Sequence, residues 1–371
     1  MKYYLIAGEA SGDLHGSNLI KEIKKIDSCA NIRCWGGNMM KKSGGTLVKD
    51  YKELAFMGFI EVLRHLKTIL RNLNFCKKDI EKFNPDVIVY IDYPGFNLRI
   101  AKWAKKRGYR NHYYISPQIW AWNENRISLI KKNIDSLYVI LPFEEDYYKK
   151  KHNLKVNFVG HPLIENLKKQ KTPSDFYTKN KVSVKNPLIA LLPGSRKQEI
   201  KRMIKTLAET SKKFLNYQFV LAGAPGIEIN WYKKYLSDTN IVVVKNQTYD
   251  LLKVSKAAIV SSGTATLETA IIGTPQVVCY KTNFFTYQIA KRLVKLKFIS
   301  LVNLISNKKI VEELIQKKFT VDNLSIALKK ILDKKNQNTI KREYRKLISK
   351  LGVRSASKTT ARLIVNSIKS E

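Results

Sequence analysis

A short apolar run, a turn of small residues and an amphipathic helix follow one another repeatedly along this chain. That rhythm constrains the fold more than any other feature. Tyr3-Tyr4-Leu5-Ile6-Ala7 reads as a buried strand, and Leu14 to Ile26 as a helix whose Leu19, Ile20, Ile23 and Ile26 share one face. Asp86-Val87-Ile88-Val89-Tyr90-Ile91 is a second strand, announced by Pro85 and closed by a turn at Pro94-Gly95. A helix over 97–107 and strands over 111–115, 137–141 and 156–159 continue the pattern, which stops at Gly160-His161-Pro162. Strand, helix, strand in this order predicts a parallel, doubly wound sheet.

The polar, lysine-rich stretch from Asn166 to Asn186 interrupts the rhythm, which restarts at Pro187-Leu188-Ile189-Ala190-Leu191-Leu192. A helix near Glu199 and strands over 217–222, 241–244, 257–260 and 276–279 follow, with basic amphipathic helices from about 322 to 369. A chain of 371 residues exceeds the usual single core. The expected fold is α/β: one Rossmann-like domain over 1–168, a second over 186–322, a cleft between them, and C-terminal helices over 323–371 that pack across domains or subunits.

Charge is the loudest compositional signal, with 68 basic against 30 acidic residues and a net charge of +38. Lys and Asn are abundant throughout, as a biased genome composition produces. Attraction to anionic lipid headgroups is a second reading. Nucleic acid is a third, but no zinc finger or RNA-recognition signature is present and the lysines are dispersed. Cys29, Cys34, Cys76 and Cys279 form no CxxC pair, and the five histidines form no HExxH, so neither a protein metal site nor a cofactor is expected. The first residues are too briefly apolar for a secretory signal, and no window is long enough to cross a membrane. A cytoplasmic protein is expected.

Three strand–helix junctions carry candidate chemistry. The first, Gly8-Glu9-Ala10-Ser11-Gly12-Asp13-Leu14-His15-Gly16, places two acids and a histidine where a strand ends, although Ser11 or Asp13 would equally serve as a helix cap. It lacks GxGxxG, which argues against a dinucleotide. Asp92 stands directly after the strand ending at Ile91, where ligands of parallel sheets bind, or serves as a turn aspartate. In the second half, Leu192-Pro193-Gly194-Ser195-Arg196 and Ser261-Ser262-Gly263-Thr264-Ala265-Thr266-Leu267-Glu268 both suit phosphate at a helix start. Separately, Ile60, Val62, Leu63, Leu66, Ile69, Leu70 and Leu73 make a broad apolar stripe with Arg64, Lys67 and Arg71 beside it. It reads as a core-facing helix or as one that touches lipid.

These segments resemble the lipid-A-disaccharide synthases. The resemblance runs through GEASGD at 8–13, MGFIEVL at 57–63, IDYPGFN at 91–97, YYISPQIWAWNENRI at 113–127 and LPFEEDYY at 141–148. FVGHPL at 158–163, LLPGSRKQEI at 191–200, SSGTATLETAIIGTPQVVCYKTN at 261–283 and LVNLI at 301–305 continue it. It implies a GT-B glycosyltransferase, with UDP-2,3-diacylglucosamine as donor and 2,3-diacylglucosamine 1-phosphate as acceptor. The products are a β-1,6 disaccharide, formed with inversion, and UDP. By the same resemblance Gly194, Ser195, Arg196, Ser262, Gly263, Thr264, Ala265 and Thr266 surround the diphosphate, Glu268 holds the ribose, and Asn303 borders the donor site. Glu9, Ser11, Gly12, Asp13, Met57 and Gly58 belong to the acceptor side. Asp92 matches the position of a catalytic base, with Glu9 and Asp13 as runners-up. Acylated substrates give Ile60, Val62, Leu63, Leu66, Ile69 and Leu70 a docking role on the anionic inner face of the inner membrane, and the resemblance is compatible with a homodimer. Two other readings keep or abandon this architecture: a peptidoglycan N-acetylglucosaminyltransferase or UDP-sugar epimerase, and a basic nucleic-acid-binding protein.

Overall fold

The computed structural model describes residues 1–53, 66–121, 123–168, 175–283, 287–288, 297–352 and 354–369. They form two compact units, one made of residues 1–165 with 351–371 and the other of 166–350.

The first unit is built on seven parallel strands: β1 (Lys2–Ala7), β2 (Asn31–Gly36), β3 (Thr46–Asp50), β4 (Val87–Ile91), β5 (Asn111–Tyr114), β6 (Ser136–Val139) and β7 (Asn157–Phe158). Their spatial order is β3-β2-β1-β4-β5-β6-β7. β1 and β4 lie at the centre, with Leu5 opposite Val89 and Ala7 opposite Ile91. Both are buried on both faces, which is why they read as unbroken apolar runs. The second unit repeats the design with β8 (Leu188–Leu192), β9 (Gln218–Gly223), β10 (Val242–Lys245), β11 (Ser255–Ser261), β12 (Gln276–Tyr280) and β13 (Glu312–Ile315). Its order is β10-β9-β8-β11-β12-β13, all parallel. In each unit the strand order reverses beside the first strand, between β1 and β4 and between β8 and β11. That reversal is the mark of a doubly wound fold.

Helices cover both faces. The first helix, Ala10–Ile26, starts four residues earlier than the apolar periodicity indicates. The helix Leu66–Phe83 is fastened to the sheet by a buried polar group rather than by apolar contact alone. Its Asp79 accepts a hydrogen bond from the Tyr4 hydroxyl at 2.6 Å and a two-pronged bond from Arg33 at 2.8 and 2.6 Å, while the Trp35 indole donates to Tyr4 at 2.8 Å. The last described helix, Ala356–Lys369, packs along Ala10–Ile26 in the first unit. Ala356, Ser357, Thr360, Ala361, Ile364 and Val365 are buried there. The Ser357 hydroxyl donates to Glu165 at 2.8 Å, so the two places where the chain passes between units are bonded to each other. The preceding helix, Lys334–Lys350, stays with the second unit, where Tyr344 is buried and accepts a hydrogen bond from Gln276 at 3.2 Å.

Candidate active site

Ligands of parallel α/β sheets bind beyond the carboxyl ends of the strands, at the point where neighbouring connections diverge. In the second unit this point is flanked by two helix starts. β8 runs through Pro193, Gly194, Ser195 and Arg196 into the helix Lys197–Ser211, and β11 runs through Ser262 and Gly263 into Thr264–Ile272. Between them lies a cavity of about 420 Å³ lined by Gly194, Ser195, Arg196, Ser262, Gly263, Thr264, Ala265 and Glu268. The backbone there requires glycine: Gly194 has φ +116°, and a Cβ added to it would sit 2.8 Å from a Glu199 carboxylate oxygen. Helix amino termini carry partial positive charge on their free N–H groups. Arg196, 3.5 Å from Glu199, adds a full one. Glu268 is reached by the Tyr249 hydroxyl at 3.2 Å, and burial lifts its carboxyl above the usual range while that hydrogen bond draws it back. The group is an acceptor suited to sugar hydroxyls beside a cradle suited to a diphosphate.

Two residues assigned to this cavity do not line it. Thr266 is wholly buried, and its hydroxyl donates to the Gly263 carbonyl at 2.8 Å, closing the first helical turn. Asn303 is also wholly buried. Its amide donates to the Val311 carbonyl and Glu313, both at 2.9 Å, and its oxygen accepts from the N–H groups of Ile310 and Val311 at 2.7 and 3.0 Å. Every bonding position of that side chain is taken by the fold. Gly223, Ala224, Pro225, Thr248 and Glu199 do line the cavity. The run Ala222-Gly223-Ala224-Pro225-Gly226 at the end of an apolar strand carries the same small-residue signal as the other junctions.

In the first unit, Glu9 and Asp92 stand beyond the paired ends of β1 and β4. Glu9 is the N-cap of Ala10–Ile26. Asp92 and Tyr93 have φ +47° and +52°, two successive left-handed residues that are not glycine. Such conformations cost about 1–3 kcal/mol each and persist where neighbours enforce them. Here the enforcement is explicit. The Asp92 N–H donates to the Tyr114 carbonyl at 3.1 Å, and its own carbonyl accepts from Asn97 at 2.7 Å and the Tyr113 hydroxyl at 2.6 Å. The Tyr93 ring lies over Gly8, where a Cβ would come within 2.3 Å of it. Burial pushes the Asp92 carboxyl up to about 6, the Glu9 charge adds to the effect, and a hydrogen bond from the Tyr93 backbone opposes it.

Asp13 is not free for chemistry. It is 4% exposed, and its oxygens accept from the N–H groups of Gly37, Met39 and Met40 at 2.9, 3.2 and 2.9 Å. It holds the start of the short helix Asn38–Lys42 and drops out of the candidates for a base. Ser11 faces solvent, and Gly12 allows close packing, since a Cβ there would lie 3.0 Å from that of Ala7. Met57, Gly58, Ile60, Val62 and Leu63 lie outside the described residues, and only the backbone of Leu66 is described. Ile69 packs against the sheet core together with Leu73, Cys76 and Ile80, so it does not belong to an outer face. Of the expected face Leu70 does turn outward, at 51% exposure, joined by Phe75 at 47%, which the expected stripe does not include, among exposed Lys67, Arg71 and Lys78.

Comparison with known proteins bears on these sites. A family model described as lipid-A-disaccharide synthetase matches residues 3–366. A lipid-A-disaccharide synthase of Trichlorobacter lovleyi is 34% identical over 371 residues, covering 98% of this chain and 97% of its own. That of Coxiella burnetii is 36% identical over 353 residues, covering 94% and 92%. Among solved structures, a UDP-GlcNAc 2-epimerase from Neisseria meningitidis bound to UDP-GlcNAc superimposes with a TM-score of 0.66 over 100% of both chains, at 13% identity. The glycosyltransferase of kitacinnamycin does so with a TM-score of 0.67 over 98% of both chains, also at 13% identity. These structural likenesses show the GT-B fold.

Proposed function

This chain belongs to the lipid-A-disaccharide synthase family, and from that premise we propose how its two strand-end sites divide the reaction. The enzyme is a glycosyltransferase. It transfers 2,3-diacylglucosamine from its UDP-activated form to the 6-hydroxyl of 2,3-diacylglucosamine 1-phosphate, and UDP leaves. The cavity at the ends of β8 and β11 takes UDP, with the diphosphate at Gly194, Ser195, Arg196 and the 263–265 helix start and the ribose at Glu268. Asp92 takes the proton of the 6-hydroxyl as that oxygen attacks the anomeric carbon from the face opposite UDP, which inverts the centre. The negative charge that develops on the diphosphate meets the Arg196 guanidinium and the two helix starts, whose dipoles are fixed in advance.

The single observation that carries this division is the position of Asp92, fixed in a left-handed turn directly beyond the central strand of its unit, where burial pushes its carboxyl up to about 6. A base with that value is ionised at neutral pH and still holds a proton well enough to accept one in the transition state. Glu9 acts through its charge, which keeps Asp92 basic. The epimerase alternative rests on fold alone, at 13% identity.

Acylated substrates lie in a membrane leaflet. Among the described residues no helix is long and apolar enough to cross one. Leu70 and Phe75 with the surrounding cations, on a chain of net charge +38, supply a peripheral contact with the anionic inner face of the inner membrane. A homodimer would follow if Ala356–Lys369 made its contacts on a second copy.

The decisive assay supplies both diacylated substrates in mixed micelles, with EDTA present, and follows UDP release and the lipid product. Acceptor-dependent UDP release with a disaccharide product is expected. Folded protein that binds UDP and yields no disaccharide would overturn the assignment.

A further inference from the structure

The helix Thr248–Val254 follows β10 in the second unit and touches the cavity only through Thr248. A helix of 7 residues is too short to hold itself together, so its place depends on what fastens it. The fold fastens it at both ends. Asn246 turns the chain into it at φ +56°, a left-handed conformation that asparagine tolerates. At the entry Asn180 and Gln247 exchange two amide hydrogen bonds, Asn180 Nδ2 donating to Gln247 Oε1 at 3.0 Å and Gln247 Nε2 to Asn180 Oδ1 at 3.1 Å. Near the exit Leu251 and Leu252 are wholly buried, and the Thr274 hydroxyl donates to the Leu252 carbonyl at 2.7 Å. Thr274 stands one residue past Gly273, the left-handed cap that ends Thr264–Ile272. The helix that carries Tyr249 is thus stapled to the end of the helix that carries Glu268.

The consequence falls on one pair of side chains. The Tyr249 hydroxyl donates to Glu268 Oε1 at 3.2 Å. Glu268 lines the cavity, and among the described residues its Oε2 accepts from no donor. A carboxylate offers about four lone-pair positions, and its last torsion is broad and two-fold, so an untethered one turns easily. One donor from the protein limits that turning and leaves about three positions for a ligand. The same bond opposes the effect of burial on the carboxyl and favours its charged form, the stronger acceptor. Ribose presents two adjacent hydroxyls, both able to donate. A tethered carboxylate with both oxygens open matches that pair better than a turning one, because less order is lost on binding.

We propose that Tyr249 is the positioning residue for ribose recognition, holding the Glu268 carboxylate so that both ribose hydroxyls of the nucleotide donate to it. The proposal rests on the donor-site reading above, in which Glu268 meets the ribose. Tyr249 does not itself line the cavity and acts through Glu268. The amide pair of Asn180 and Gln247 and the Thr274 hydroxyl keep the tyrosine in reach.

The test measures binding of two nucleotides to the full-length protein by titration calorimetry: UDP and its 2′,3′-dideoxy analogue. Wild type should prefer UDP by about 10- to 100-fold, the worth of hydrogen bonds to a charged group. Tyr249→Phe should cut that preference by about five- to tenfold through weaker UDP binding, with affinity for the dideoxy analogue within about twofold of wild type. A ring that served packing alone would weaken both nucleotides equally, so an unchanged preference overturns the proposal. Should the phenylalanine variant not fold, para-fluorophenylalanine in place of Tyr249 fills the outline of tyrosine without its donor, and an unchanged preference there is equally fatal. Glu268→Gln separates the proposal from the reading beneath it. Loss of the preference in Glu268→Gln with its retention in Tyr249→Phe removes the role of Tyr249 alone. Retention in both, with UDP still bound, removes the ribose from Glu268 and the proposal with it.

Discussion

Asp92 holds a position that costs the fold twice, once in a left-handed backbone and once in a carboxylate that is hard to ionise. The second cost has a sign that can be measured. The carboxyl rises from 3.8 to about 6, so between those values the folded chain holds a proton that the unfolded chain has lost. The favourable contribution of the neutral group is complete below 3.8 and disappears as pH rises through 6. An asparagine stays neutral. Asp92→Asn should therefore unfold at the same temperature as wild type near pH 3.5 and become more stable on the order of 1–3 kcal/mol above pH 6. The same variant should lose turnover by at least about a hundredfold while UDP affinity survives, and wild-type kcat/KM should fall as pH drops below 6. Loss of UDP affinity in the variant would contradict the role given to Asp92. Side-chain roles at this scale were only partly legible in the sequence. Spacing identifies which residues follow a strand, and Asp92, Glu9, Gly194 and Gly263 were found that way. It does not say which way a polar group turns, and Asp13, Thr266 and Asn303 each proved to be bonded to nearby backbone.

Among elements, legibility followed burial. β1, β4, β8 and β11 are central and carry unbroken apolar runs, Tyr3–Ala7, Val87–Ile91, Leu188–Leu192 and Ala257–Val260, and their signal is unmistakable. β3 and β13 are edge strands and β2 is next to the edge; they carry Lys49, Asp50, Glu312, Glu313, Asn31 and Arg33, so no continuous apolar run announces them. The helix Leu66–Phe83 shows a further limit. Its apolar stripe is broad because it serves two faces, and only three-dimensional packing separates Ile69, Leu73, Cys76 and Ile80 on the core from Leu70 and Phe75 outside. Replacing Leu70 and Phe75 with serine should leave the melting temperature within a few degrees of wild type. Partitioning onto vesicles containing anionic lipid should fall by about tenfold or more, since two large apolar side chains no longer enter the interface. Unchanged vesicle binding, measured by co-sedimentation, would remove the docking role from this face.

The molecule as a whole repeats one doubly wound design, and that much was visible in the restart of the strand–helix rhythm at Leu188. The linear order groups the C-terminal helices together, expected to pack across domains or subunits, but it does not say which of them leaves the second unit; Ala356–Lys369 does and Lys334–Lys350 does not. Residues 351–371 complete the first unit, while 166–350 form the second without interruption. Deleting 351–371 should strip the cover from Ala10–Ile26 and remove roughly 3–6 kcal/mol through Ile364 and Val365 alone. Calorimetry should then show the second unit melting as in wild type, with UDP binding retained, and the first unit's transition lost or strongly lowered. A single cooperative loss of both would mean that the units depend on one another for folding.

That return of the chain reverses the usual order of events on the ribosome. Domains ordinarily mature in the order they are translated, but here β1 and the helix beside it must wait for Ala356–Lys369 to emerge, while the later-made second unit already has all of its strands. The second unit is thus finished first. The half that carries Asp92 is completed only after residues 351–371 have been synthesised, so a ribosome that stalls before they emerge leaves Asp92 on a unit whose scaffold is unfinished.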